Sequence, residues 1–268
     1  MVDSEIRMVG VHGTGVIAEG VAGLCLDRGL PVTILSGSPE RAARLAASLG
    51  EQHPDGEIKV MPARIDGCQL VVEATVESLA AKQEVLSEIE ARCGADALLA
   101  TTTSSLSITE LGSVLRRPDR LVGMHFFNPV HRMALVEVVG GLRTSPVSIE
   151  RARSFAVSLG KEPLTVPDRA GFLVNRLLIP YLNQAAWLVE QGMATCEDVD
   201  DAMRLGAGHP MGPFALIDLI GADVCLAIGR ALHEEFKRTI DAPSSELRRR
   251  VTLGWLGRKT GRGYYDYG

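Results

Sequence analysis

The stretch that decides the fold is Ile6-Arg-Met-Val-Gly-Val-His12, followed directly by Gly13-Thr-Gly15-Val-Ile-Ala18. The first run has the apolar character of a buried strand, and apolar residues then recur at helical spacing up to Arg28. A Gly-x-Gly-x-x-Ala loop between a strand and a helix is typical of a dinucleotide site. Gly13 permits the tight turn, Gly15 lets the backbone approach a pyrophosphate, and Ala18 keeps the helix close to its strand. The predicted cofactor contacts in this loop are Gly13, Thr14, Gly15, Val16, Ile17 and Ala18.

Working outward from this loop, strand-like and helical segments alternate through the first two-thirds of the chain. This alternation predicts βαβ units and a mostly parallel sheet. From about Gly171 the pattern is helical, and Pro180 is predicted to kink the first long helix. We therefore predict an α/β Rossmann-like dinucleotide-binding domain over residues 1–167. An all-α C-terminal domain, predicted to bind substrate and to dimerise, follows over residues 168–268. The further predicted strands are 31–35, 70–74, 97–100, 121–125 and 135–139, and the further predicted helices are 39–49 and 79–93.

The composition excludes several classes of protein. The 268 residues carry a net charge of −5, which argues against binding to nucleic acids or to anionic membranes. The five cysteines are widely spaced, so they indicate neither a disulfide framework nor a zinc site, and no metal is expected. No apolar run is long enough to cross a bilayer, and the first residues lack the pattern of a signal peptide. We therefore expect a cytoplasmic protein.

The end of the second predicted strand bears on which nicotinamide cofactor is used. An acidic residue there would bind the ribose 2′-hydroxyl of NAD, but this chain has Ser36-Gly-Ser38-Pro-Glu-Arg41. Ser36, Ser38 and Arg41 are candidates to receive a 2′-phosphate, although Arg41 is equally well explained as a solvated helix residue. NAD and NADP both remain open at this point.

Three further segments carry polar groups suited to hydride-transfer chemistry. Ser104 follows a predicted strand, His125 ends the next one, and Glu137 lies within the apolar run after that. A neutral histidine can take the proton of an alcohol while hydride leaves its carbon, and a nearby carboxylate orients the imidazole. Spacing alone also allows Ser104 to be a helix cap, and His125 and Glu137 to be core and edge residues without a joint role.

Six ordered blocks then show a resemblance that covers nearly the whole chain. They are Val71-Val-Glu-Ala-Thr-Val-Glu77, Ala100-Thr-Thr-Thr-Ser-Ser-Leu106, His125-Phe-Phe-Asn-Pro129, Gly171-Phe-Leu-Val-Asn-Arg176, Gly206-Ala-Gly-His-Pro-Met-Gly-Pro213 and Gly257-Arg-Lys-Thr-Gly-Arg-Gly-Tyr264. This set closely resembles the L-3-hydroxyacyl-CoA dehydrogenase family, which includes 3-hydroxybutyryl-CoA dehydrogenases.

The resemblance implies a role for each matching residue. His125 would be the general acid and base acting on the 3-hydroxyl, and Glu137 would pair with it. Ser104 would bind the substrate oxygens close to the nicotinamide, and Asn175 would help to hold the substrate oxygen. Further cofactor contacts are implied at Glu77, Lys82, Ser104, Asn128 and Lys259. The family also implies a homodimer formed through the helical domain.

The chain departs from the family pattern at several positions. Ser36 replaces the aspartate that selects NAD, Ala18 the usual third glycine, and Thr102 an asparagine near the nicotinamide. After Val130 the chain reads His-Arg-Met-Ala. Compared with the family pattern, Arg132 adds a charge near the mouth of the predicted site, and Ala134 stands where the family has a charged residue. A surface arginine without a role is the simpler interpretation of Arg132.

The largest departure is a predicted deletion between residues 39 and 70. The family carries there a long helical excursion that helps to clasp CoA, and this chain has room for one helix and a short strand or loop. We therefore hypothesise that the acyl thioester is presented on an acyl carrier protein instead of CoA, as in relatives from polyketide extender-unit pathways. Arg132 is a candidate contact for the phosphate of the phosphopantetheine arm.

The resulting prediction is an NAD(P)-dependent dehydrogenase that interconverts 3-hydroxyacyl and 3-oxoacyl thioesters, carried on CoA or on a carrier protein. One alternative is a dehydrogenase of a free hydroxy acid or sugar acid, which would need a cation for the carboxylate, with Arg132 as the candidate. A second alternative is a non-enzymatic protein of the same fold, such as a crystallin or a nucleotide sensor. The intact set of Ser104, His125, Glu137 and Asn175 argues against it.

Overall fold

The computed structural model describes residues 6–61 and 63–268. The chain divides into two compact units, the first ending at Arg169 and the second spanning Ala170–Gly268. Each unit has a hydrophobic core of its own. Sequence patterning placed the boundary two residues earlier, between 167 and 168.

The first unit is built on one eight-stranded sheet. Its strands are β1 (Val9–His12), β2 (Val32–Leu35), β3 (Ile58–Val60), β4 (Leu70–Glu73), β5 (Leu98–Thr101), β6 (Leu121–Phe126), β7 (Leu135–Gly140) and β8 (Glu162–Pro167). The order across the sheet is β3-β2-β1-β4-β5-β6-β7-β8. All neighbouring pairs are parallel except β6 and β7, which are antiparallel. The predicted α/β Rossmann-like domain is therefore confirmed.

Helices cover the sheet and connect its strands. They are α1 (Val16–Asp27), α2 (Pro39–Gln52), α3 (Leu79–Arg92), α4 (Ile108–Leu111) and α5 (Pro146–Ser158). The start of α2 shows why a helix begins there, because the Ser38 side chain accepts a hydrogen bond from the Arg41 backbone and Pro39 takes the first turn. Strands β1, β2, β4 and β5 are buried along their whole length, which explains why the sequence reveals them as continuous apolar runs.

Strand β8 was not predicted from the sequence. It lies at the edge of the sheet, and of its six residues Val166 is the buried one. An edge strand exposed over most of its length carries no apolar run, so the sequence pattern gives little sign of it. Helices α4 and α5 were likewise not predicted.

The second unit is helical, as predicted. Its helices are α6 (Val174–Glu190), α7 (Cys196–Asp201), α8 (Pro213–Ile220), α9 (Ala222–Phe236) and α10 (Ser245–Thr252). Helix α6 continues through Pro180. The C-terminal segment is fastened by the buried carboxylate of Asp218, which accepts hydrogen bonds from the backbone N–H groups of Tyr264 and Tyr265.

Among the helices of residues 6–61 and 63–268, none combines the length and the apolar character that a membrane span requires.

Candidate active site

The candidate site residues of the first unit gather at one edge of the sheet. Strands β1, β2, β4, β5 and β6 all end at this edge because they run parallel to one another. The strand order reverses between β1 and β4, and open α/β sheets bind ligands at such a switch point. The loops that follow these strands carry the glycine turn, Ser36, Glu77 and Ser104, while His125 lies near the end of β6.

The glycine loop after β1 has the geometry that a dinucleotide needs. Gly13 has a φ of +142°, and a Cβ on it would lie 2.2 Å from the carbonyl oxygen of Ala74. A Cβ on Gly15 would meet nothing within 4 Å, so the space above this residue is open. Gly15 is also the N-cap of α1 and offers no side chain to the first-turn N–H groups. Those N–H groups can therefore hold a phosphate, and the loop fits a bound dinucleotide.

Just beyond β2, the first turn of α2 carries the carboxylate of Glu40, which was not predicted as part of the site. Ser36 follows the last strand residue, and its hydroxyl accepts a hydrogen bond from the Ser38 backbone at 3.1 Å. The Ser38 hydroxyl donates to Oε2 of Glu40 at 2.8 Å. Hydrogen bonds from the Glu40 backbone and from Ser38 hold the pKa of the Glu40 carboxyl below its ordinary value. A negative charge therefore lies at the strand end where the adenosine ribose binds in this type of fold.

His125 and Glu137 form a buried pair. They face each other in the antiparallel register of β6 and β7, and Nδ1 of His125 lies 2.7 Å from Oε2 of Glu137. The exposed fraction of the side chain is 5% for His125 and 0% for Glu137. The ring of Phe127 packs edge-on against the imidazole, with 4.5 Å between the ring centroids. The pairing fixes the orientation of the imidazole and places a carboxylate where it stabilises the protonated ring.

Ser104 lies in the turn that follows β5, and Glu77 holds this turn from the loop after β4. A single oxygen of Glu77, Oε1, accepts hydrogen bonds from the Thr103 hydroxyl at 2.6 Å and from the Ser104 backbone at 2.9 Å. The same oxygen accepts from the backbone and the hydroxyl of Ser105 at 3.1 and 3.0 Å. The backbone of Ser104 is therefore fixed. The helix-cap interpretation applies instead to Ser107, whose hydroxyl accepts from the Glu110 backbone at the start of α4.

Lys82 lies below this turn in α3, and 1% of its side chain is exposed. Its ammonium donates to both oxygens of Glu73, at 2.9 and 3.0 Å, and to the Thr75 carbonyl oxygen at 3.3 Å. It also lies 3.7 Å from Oε2 of Glu77. These contacts show Lys82 as part of a buried ionic group, and its expected contact with the cofactor stays a prediction.

The remaining candidate residues lie elsewhere. Asn128 is exposed and lies two residues beyond the end of β6. Asn175 and Lys259 belong to the second unit: Asn175 is buried in the first turn of α6, and the Lys259 ammonium pairs with Oδ1 of Asp223 at 2.6 Å. Within the described parts of the chain, no cluster of three or more His, Cys, Asp or Glu residues could hold a metal ion.

Three residues with a part in this region were not recognised from the sequence. They are Glu40, Glu73 and Lys161. The Lys161 ammonium donates to the carbonyl oxygens of Val130 and Met133, at 2.6 and 2.9 Å, and so fixes the loop that carries the exposed Arg132. A signal existed for Glu73, since a carboxylate that directly ends an apolar strand must be paired if it is buried.

Comparison with known proteins agrees with this geometry. The family model "3-hydroxyacyl-CoA dehydrogenase, NAD binding domain" matches residues 8–169, and "3-hydroxyacyl-CoA dehydrogenase, C-terminal domain" matches residues 171–267. A probable 3-hydroxybutyryl-CoA dehydrogenase of Bacillus subtilis is 40% identical over 281 residues, covering 98% of each chain. A 3-hydroxybutyryl-CoA dehydrogenase of Clostridioides difficile is 48% identical over 198 residues, covering 74% of this chain and 70% of the relative.

A solved structure is similar over the same length. The (S)-3-hydroxybutyryl-CoA dehydrogenase PaaH1 from Ralstonia eutropha has a TM-score of 0.91 and 37% sequence identity, and the match covers 98% of this chain and 100% of that chain. The family models, the sequence identities and the shared fold all point to one group of proteins. The chain therefore belongs to the 3-hydroxyacyl-CoA dehydrogenase family, and it is a dehydrogenase with an NAD-binding domain.

Proposed function

We propose that this enzyme interconverts 3-hydroxyacyl and 3-oxoacyl thioesters, with His125 as the general acid and base. The observation that carries the proposal is the buried pair in which Nδ1 of His125 lies 2.7 Å from Oε2 of Glu137. The names of the relatives, 3-hydroxybutyryl-CoA dehydrogenases, support the substrate class. When bound, the nicotinamide cofactor supplies the hydride acceptor for oxidation and the hydride donor for reduction.

In the oxidation direction, His125 removes the proton of the 3-hydroxyl group. With Nδ1 directed at Glu137, Nε2 is the imidazole atom that exchanges this proton. The imidazole then becomes positively charged, and the carboxylate of Glu137 stabilises that charge. Glu137 is fully buried, which strengthens its electrostatic effect on the ring. Reduction follows the same path in reverse.

Ser104 and Asn175 are proposed to hold the substrate oxygen. Ser104 follows β5, the neighbour of the strand that carries His125, so both residues lie at the same edge of the sheet. A hydroxyl donor to the 3-oxygen stabilises the charge that develops there during proton and hydride transfer. Asn175 is assigned by the family resemblance alone, as are the cofactor contacts of Asn128 and Lys259.

We further propose that NAD is the working cofactor. The carboxylate of Glu40, bonded to Ser38, supports this because it would attract the ribose hydroxyl groups of NAD and repel the 2′-phosphate of NADP. Ser36 stands where an acidic residue would bind the ribose, and Glu40 supplies a carboxylate there from the first turn of α2.

The carrier of the acyl group is the finer part of the proposal. Between α2 and β4 the described residues contain one three-residue strand, β3, and no helix. This short connection supports a reduced CoA clasp. We therefore propose that an acyl carrier protein presents the thioester and that Arg132 contacts the phosphate of its arm.

The test is one matrix of initial rates. NAD or NADP is combined with one 3-hydroxyacyl group carried on CoA, on an acyl carrier protein or as the free acid, and nicotinamide absorbance is recorded. We expect the highest kcat/KM with NAD and the carrier-bound substrate, and a lower value for it in Arg132→Ala. Equal kcat/KM on CoA and on the carrier would refute the carrier proposal. Turnover of the free acid alone would establish the free hydroxy acid alternative.

A homodimer through the second unit is also proposed. Helix α6 exposes Leu177 to 70% and Leu188 to 37% of the side chain, and Met193 just beyond it is 69% exposed. These exposed apolar side chains support a protein interface on this part of the second unit. Sedimentation should show a dimer, and Leu177→Glu should shift it to the monomer. A wild-type monomer at micromolar concentration would contradict the proposal.

A further inference from the structure

Glu73 is a buried carboxylate to which the proposed chemistry gives no part. It ends β4, and none of its surface is exposed. Its oxygens accept five hydrogen bonds, from the Thr75 backbone at 2.7 Å, the Thr75 hydroxyl at 2.6 Å, the Thr101 hydroxyl at 2.6 Å and the Lys82 ammonium at 2.9 and 3.0 Å. Glu73 therefore joins the ends of β4 and β5 to helix α3.

Glu77 also accepts several hydrogen bonds, and the residues that donate them include Ser104 of the candidate site. Its Oε1 atom collects four hydrogen bonds from Thr103, Ser104 and Ser105, and 34% of its side chain is exposed. Glu73 holds Thr101 and Glu77 holds the next turn, so the two carboxylates fix both ends of the segment that leads to Ser104.

Lys82 connects the two carboxylates. Its ammonium is bonded to Glu73 and lies 3.7 Å from Oε2 of Glu77, with 1% of the lysine side chain exposed. A buried charge is stable only with its partners in place, and a network with all of its hydrogen bonds made favours one arrangement. The position of Glu77 is therefore coupled to Glu73 through Lys82.

We propose that Glu73 is a positioning residue that acts through Lys82 and Glu77 to fix the turn that carries Ser104. The inference rests on the role proposed above for Ser104. Without the Glu73 charge, Lys82 keeps Glu77 as its remaining carboxylate neighbour and moves toward it. Glu77 then moves away from the position in which it accepts the hydrogen bonds of the turn at Ser104. Misplacement of a substrate-binding group by about 1 Å can cost about 10²-fold in rate.

The test compares two buried glutamates of the same unit. Glu73→Gln keeps the shape of the side chain and removes its charge. Glu90→Gln is the matched control, because Glu90 accepts from the backbone N–H groups of Arg116 and Arg117 and pairs with Arg120. The side chains of Glu90 and Arg120 are 9% and 7% exposed, and the Arg120 guanidinium binds carbonyl oxygens ahead of β5, at the opposite edge of the sheet.

Each change is made in the wild type and in Ser104→Ala, and kcat and KM are measured below the unfolding temperatures. We expect Glu73→Gln to lower kcat about tenfold or more in the wild type. In Ser104→Ala the same change should cost less than about twofold, because residues that act through one another are not additive. Glu90→Gln should lower the unfolding temperature and change kcat less than about twofold in both backgrounds.

Amide hydrogen exchange gives a readout that does not need turnover. The Ser104 and Ser105 amides donate to Glu77, so Glu73→Gln should accelerate their exchange while Glu90→Gln should not. Equal kcat losses in both backgrounds, or unchanged exchange at these amides, would overturn the positioning role. A wild type inactive on every thioester would instead overturn the proposed function, and the exchange data would still decide whether Glu73 holds the turn.

If Glu73→Gln fails to fold, Thr101→Val replaces it. Thr101 is fully buried, and its hydroxyl makes one of the five bonds to Glu73. The nearly isosteric valine removes that bond and leaves the ion pair intact. We expect a smaller kcat loss with the same dependence on Ser104. A loss that is equal in both backgrounds would contradict the proposal here as well.

Discussion

Nδ1 of His125 lies 2.7 Å from Oε2 of Glu137 because the antiparallel register of β6 and β7 places the two residues opposite each other. This is the one antiparallel pairing in the described sheet. Cross-strand partners come within hydrogen-bonding reach without help from a loop. The proposed acid–base pair is therefore built on two buried strands, which hold it more rigidly than loops would.

Gly15→Ala separates cofactor binding from folding. A Cβ at this position meets nothing within 4 Å, and the φ of −87° is accessible to alanine. We expect an unchanged unfolding temperature but NAD binding weakened about tenfold, which equals about 1.4 kcal/mol, because the methyl group occupies the space needed by the pyrophosphate. Calorimetric titration with NAD measures this. Unchanged affinity for NAD would contradict the placement of the pyrophosphate at this loop.

Glu40→Gln tests the origin of cofactor choice. Loss of the carboxylate next to Ser38 should raise kcat/KM for NADP relative to NAD severalfold, because the repulsion between this charge and the 2′-phosphate is removed. The matched control is Glu51→Gln, which removes an exposed charge near the other end of the same helix. If both variants shift the ratio equally, the effect is one of net charge, and Glu40 has no specific role.

His12 gives the unfolding free energy a dependence on pH. Its side chain is buried at the end of β1, and Nδ1 has no hydrogen-bond partner among residues 6–61 and 63–268. Burial holds the pKa of His12 below its ordinary value, and the nearby Glu88 and Glu73 oppose this effect in part. The unfolded chain therefore binds more protons than the folded one between about pH 6.5 and the lower folded pKa. Stability from this source is present at neutral pH and is lost as the pH falls through that window.

The variant His12→Leu should remove this contribution. We expect the wild type to lose more stability than the variant when the pH is lowered from about 7.5 to about 5.5. Urea unfolding at both pH values measures the difference. At neutral pH the variant should be at least as stable as the wild type, because it removes a buried atom without a partner. Equal losses of stability in the two proteins would show that the pKa of His12 does not differ between the folded and the unfolded chain.

Much of the first unit could be predicted because its central strands are buried on both faces. Such strands appear in the sequence as continuous apolar runs. The turn at Gly13 could also be predicted, because a side chain at this position would collide with the backbone of Ala74. Strand β8 was not predicted because exposure of an edge strand removes its apolar pattern. The bond between Ser38 and Glu40 and the group formed by Glu73, Lys82 and Glu77 were also missed. These contacts depend on the approach of side chains in three dimensions, which spacing along the chain does not specify.

The central claim is that His125 transfers the proton of the 3-hydroxyl and that Glu137 acts through it. The most direct measurement is kcat for His125→Gln, Glu137→Gln and the double variant, with NAD affinity determined in parallel. We predict that His125→Gln lowers kcat by about 10²- to 10⁴-fold while NAD affinity stays within about twofold. The double variant should then be no slower than His125→Gln alone, because Glu137 has no other route to the reaction. A His125→Gln enzyme that keeps its kcat within a few-fold of the wild type would contradict the account.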